Sequence, residues 1–112
     1  MGIYEILRRS AEKKDASEYI AVLDEDYEFY RHQTGTTMNK AQMSDMLRAF
    51  MSNENVVVHN QRCLFENDEV LVEHSVMDFA DGTREAVLGF NKLKDGLIFQ
   101  TESGATLIDK DS

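Results

Sequence analysis

The sequence predicts an α+β domain in which three N-terminal helices pack on a mostly antiparallel sheet. Two observations predict it. Apolar residues in the first half recur at helical spacing. From Val56 onward, strand-like runs alternate with the turn dipeptides Asn67-Asp68, Asp81-Gly82 and Asp95-Gly96. A length of 112 residues with 42% hydrophobic content suits a single domain over 1–112.

Ile3, Ile6, Leu7 and Ala11 form one stripe of a first helix that ends near Lys14, and Glu5/Arg9 and Arg8/Glu12 are i,i+4 pairs on its solvated face. Asp15 is placed to cap a second helix, with Glu18 in the capping-box position and Ala16, Tyr19, Ile20 and Leu23 as its stripe. Asn39 with Gln42 opens a third helix whose face is Met43, Met46, Leu47, Phe50 and Met51, read as core methionines. A short strand over Asp26–His32 and a few extended residues at Thr36–Met38 lie between the second and third helices. Tyr27, Phe29 and Tyr30 in that strand read as packing rings.

The turn dipeptides delimit strands at about 55–66, 69–79, 84–94 and 97–108. Two-residue turns would set Gln61 opposite His74, His74 opposite Gly89, and Gly89 opposite Glu102. Cys63, Val72, Asn91 and Gln100 form the next row on that face, and His59, Val76, Val87 and Gly104 the row on its other side. The opposite face would pair Arg62 with Glu73 as an ordinary ion pair. Both faces are largely apolar, so each needs a cover. Helices cover one, and a second copy of the chain is the simplest cover for the other, giving a homodimer.

Charge narrows the partners. The net charge of −9, from 12 Lys+Arg and 21 Asp+Glu, argues against binding a nucleic-acid backbone. No run approaches the ~18 apolar residues of a membrane span, and the N-terminal residues lack a secretory pattern, so a cytoplasmic protein without membrane association is expected. Cys63 is the sole cysteine and reads as buried and inert, which excludes a disulfide framework. Three histidines without HxH or HxxE spacing imply no metal site, and no phosphate loop or other cofactor motif occurs. Asp109–Ser112 read as a frayed tail.

The order of elements then resembles the nuclear transport factor 2-like superfamily, with the SnoaL-like small proteins as its closest group. The resemblance rests on the short helix entered at Lys14-Asp15-Ala16, the acidic Leu23-Asp24-Glu25-Asp26 leading into a strand, the third helix and the long four-strand meander. It covers nearly the whole chain. It implies a curved sheet wrapped around helices as a cone with an open pocket, often dimeric through the sheet's outer face. The superfamily includes ketosteroid isomerases, scytalone dehydratases, epoxide hydrolases, polyketide cyclases and non-catalytic domains. The isomerase acid would fall on Arg31 or His32, its tyrosine on Leu7 or Arg8, and its second acid on Ala86 or Val87. None of these residues can fill those roles.

The resemblance points His32 at the pocket, where its ordinary pKa near 6.5 suits a general base; the alternative is a strand-end histidine bonded to backbone or solvent. In the register above, His59, Gln61, His74, Asn91, Gln100 and Glu102 converge on the space left by Gly89. Scytalone dehydratases are similar in using two strand histidines for acid and base work; the alternative is a hydrogen-bonded polar belt at an interface. Three functions remain open. The cone could bind a small, mostly apolar organic molecule through His32 and the His59/His74/Glu102 group. A lyase or isomerase could use His32 or His74 as general base, with Asn91 or Gln61 stabilising an oxyanion. A dimerisation module with a filled cone is the third.

Overall fold

The computed structural model describes residues 2–108; the expected tail at Asp109–Ser112 lies outside them. Elements run α1 (Ile3–Lys13), α2 (Ser17–Ala21), β1 (Leu23–Arg31), β2 (Thr36–Asn39), α3 (Lys40–Ser52), β3 (Val57–Glu66), β4 (Val70–Asp78), β5 (Arg84–Lys94) and β6 (Leu97–Ile108). One six-stranded sheet has the order β2-β1-β6-β5-β4-β3, antiparallel except where β1 meets β6. The helices lie on its inner face, and Leu7, Leu23, Tyr27, Phe29, Met43, Leu47, Leu71 and Ile98 form the centre of the core.

The helix ends have identifiable causes. Gly2 gives α1 no side-chain cap, and the Glu66 carboxylate at the end of β3 accepts the Tyr4 N–H instead (3.3 Å). Lys14 ends α1 in the left-handed region (φ 54°), and its ammonium donates to the Val56 and Asn53 carbonyls (2.6 and 3.3 Å) beyond α3. Asp15 is not a capping box: it accepts the Ser17 N–H in a local turn, while Glu18 is drawn away by Arg9. The Asn39/Gln42 box at the start of α3 is present in both directions, 2.9 Å each way.

The hairpins correct the expected register. Asp95 and Gly96 both have positive φ (54° and 78°), the two-residue turn expected of that dipeptide. At Asp81-Gly82 the loop instead holds three residues: the Phe79 N–H donates to the Thr83 carbonyl (2.9 Å), and Gly82 takes φ 90°. That extra residue sets Gly89 opposite Glu73 and His74 opposite Leu88. In β3 the expected pairs Val58/Met77 and His59/Val76 hold, but bulges then place Arg62 opposite His74 and Cys63 opposite Glu73. A third bulge in β6 sets Gly89 opposite Ser103 rather than Glu102. Each slip exchanges faces.

Candidate functional site

The inner face encloses a cavity of about 320 Å³. Met43, Met46, Leu47, Phe50 and Met51 of α3, Leu7 of α1, Tyr19 of α2, and Val58, Met77, Val87 and Ala105 of the sheet give it apolar walls. The α3 methionines are therefore partly a lining and not only core. Phe50 and Phe79 meet edge to face, ring centroids 5.9 Å apart, and join α3 to the end of β4.

Across the sheet floor, Glu73, Gly89, Ser103 and Arg31 occupy one row of paired positions. The next row is Leu71, Asn91, Thr101 and Phe29. Asn91 is fully buried and satisfied there: it donates to the Leu71 carbonyl (3.1 Å) and accepts from the Thr101 hydroxyl (2.7 Å).

Glu73 is the residue that sequence reasoning misplaced. Its carboxyl lies over Gly89, with Oε1 and Cγ each 3.3 Å from where a Cβ would stand. Its Oε2 is buried with no hydrogen-bond partner among the described residues. Burial pushes its pKa up to about 7. Burial likewise raises the hydroxyls of Tyr19 and Tyr27, and Glu73's charge nearby adds to both. The signal was available: Gly82 followed by Thr83 fits a three-residue loop with glycine in its left-handed position, and that loop turns Glu73 inward.

Of the other candidates, Gln61 and Gly89 line the cavity, and Asn91 is buried beside it. His74 pairs with Arg62 and Leu88 on the outer face, away from Gly89; Arg62 therefore makes no cross-strand pair with Glu73. His59, also outward, bonds to Asp78 (2.7 Å), whose carboxyl is held well below the usual range by Arg84 and then by His59. His32 and Glu102 do come together, Nε2 to Oε1 at 2.9 Å, with the Tyr30 ring 4.3 Å from the imidazole, but at an exposed outer edge. Gln100 reaches Glu28 (3.5 Å) on that outer face. Cys63 is exposed rather than buried, because the bulged β3 is the sheet edge. The three histidines stay apart, and no group of three or more His, Cys, Asp and Glu among the described residues could hold a metal ion.

No helix among the described residues is long and apolar enough to cross a membrane. No curated protein matches the chain by sequence. Among solved structures, a nuclear transport factor 2-like protein of unknown function from Mesorhizobium loti is 14% identical with a TM-score of 0.78, covering 93% of this chain and 90% of that one. One from Burkholderia xenovorans is 12% identical with a TM-score of 0.74, covering 96% and 85%. A steroid delta-isomerase from Pseudomonas aeruginosa is 14% identical with a TM-score of 0.70, covering 93% and 77%. These likenesses show the fold. The SnoaL-like domain model matches residues 5–101, so the chain belongs to the SnoaL-like family within the nuclear transport factor 2-like superfamily.

Proposed function

We propose that the cone binds a small, mostly apolar organic molecule, with the Glu73 carboxyl as its polar contact. The observation that carries this is a cavity of about 320 Å³, walled mostly by apolar side chains and lined by Glu73, whose buried Oε2 has no hydrogen-bond partner among the described residues. Such a cavity suits a ligand of modest size, with one polar group fixing its orientation. A second reading, a lyase or isomerase, is supported by the same residue: a carboxyl titrating near 7 is matched to proton transfer at neutral pH. It shifts the general base from His32 or His74 to Glu73.

The test is a thermal-shift screen against small ketones, steroids, polyketides and acids. A ligand at ~100 times its dissociation constant stabilises by ~2.7 kcal/mol, which raises Tm by roughly 10 °C. Gly89→Val places a side chain against Glu73 at the cavity floor and is expected to abolish that shift while leaving the fold intact. Silence across the library with the wild-type chain would overturn the reading in favour of a filled dimerisation module. For the second reading, Glu73→Gln is expected to abolish turnover of a bound substrate.

We also propose that the chain forms a homodimer through the outer face, where Phe65, Leu88 and Phe90 remain 55%, 44% and 37% exposed.

A further inference from the structure

We infer that the cone selects an apolar organic amine, with the Glu73 carboxylate as counter-ion to its ammonium group; this rests on the cavity binding a small organic molecule at all. The charged side chains lining the cavity are Glu12, Lys14, Arg31, Glu73 and Glu85. Four have partners. Glu12 accepts from Arg8 (2.5 Å), and Lys14 donates to the Val56 carbonyl (2.6 Å). Arg31 donates to Gln33 (2.7 Å) and lies 3.6 Å from Glu85, which itself accepts from Gln33 (2.7 Å). Of these five, Glu73 alone has a buried oxygen with no hydrogen-bond partner among the described residues.

The groups that Glu73's charge reaches are Tyr4 of α1, Tyr19 of α2, Tyr27 of β1 and its strand partner Cys63 of β3, all held uncharged at neutral pH and none basic. A desolvated carboxylate without a cation is costly, and an ammonium brought by the ligand supplies both the missing charge and the missing donor. The Tyr19 ring, which lines the same cavity, suits a cation, and the chain's net charge of −9 attracts cations while repelling anions. A carboxylate ligand would set two negative charges together in an apolar pocket. A neutral alcohol or ketone brings no charge to offset the Glu73 carboxylate.

Isothermal titration with naphthylmethylamine, naphthalenemethanol and naphthoate holds the ring constant while changing the charge. At pH 8 the amine is expected to bind the wild-type chain roughly tenfold or more tighter than the alcohol, as a charge-assisted hydrogen bond requires, with naphthoate weakest. Glu73→Gln should bring the amine down to the level at which the same variant binds the alcohol, with cooperative thermal unfolding of the variant showing that it is folded. Between pH 8 and pH 6 the amine's affinity should fall in wild type, as protonation of Glu73 competes, and stay level in the variant. Alcohol binding as tight as amine binding in wild type, or an amine preference that survives Glu73→Gln, would overturn amine selection while leaving the apolar site standing. Failure of all three probes would overturn both.

Discussion

Glu73 keeps its proton in the folded chain at pH values where the unfolded chain has lost it. The folded value is about 7 against an ordinary 4.5, so between those values the native state binds more protons and stability falls as pH rises. The loss begins above 4.5 and is complete above about 7, and that gap corresponds to about 3 kcal/mol. Glutamine has the shape of the protonated acid and carries no charge. Glu73→Gln is therefore expected to stabilise the free protein by up to about 3 kcal/mol at pH 8 and hardly at all below pH 5. Urea unfolding of both chains at the two pH values measures this, and the difference cancels the other carboxylates. A gain that is equal at both, or larger at the acid value, would contradict the burial argument. From the sequence alone Glu73 reads as half of an ion pair with Arg62, because Asp81-Gly82 also reads as a two-residue turn, and the three-residue alternative that Gly82-Thr83 signals lies seven to nine positions away.

Among the elements, α3 depends most visibly on local chemistry. Asn39→Ala removes one arm of the capping box and is expected to cost about 1 kcal/mol. That is a Tm drop of about 5 °C, readable by calorimetry. This cap was legible in the sequence because the atoms that make it lie three residues apart. The Asp95-Gly96 turn was legible for the same reason. The strand faces were not. They depend on where β3 and β6 each carry additional residues, and Asn60 adopts φ 51° without being glycine. One added loop residue between β4 and β5 sets His74 outward and Glu73 inward, so the expected group divides, with Gln61, Gly89 and Asn91 on the inner face and His59, His74, Gln100 and Glu102 on the outer.

For the whole molecule, the inner face is filled by helices and a cavity, while the outer face keeps Phe65, Leu88 and Phe90 in water. If a second copy covers them, Leu88→Lys with Phe90→Lys should give a folded monomer in sedimentation velocity where wild type sediments as a dimer; a monomeric wild type would remove the proposed partner. The bulges have a consequence for kinship as well. At Asn60 two residues of β3 stand against Ser75 alone, so removing Asn60 would preserve the pairs on either side, His59 with Val76 and Arg62 with His74. The strand would straighten while every side chain kept its face. Single-residue gaps between distant relatives are therefore expected inside these strands, at Asn60, Leu64 or Phe99, and an alignment that confines gaps to loops would misplace the cavity-lining residues beyond them.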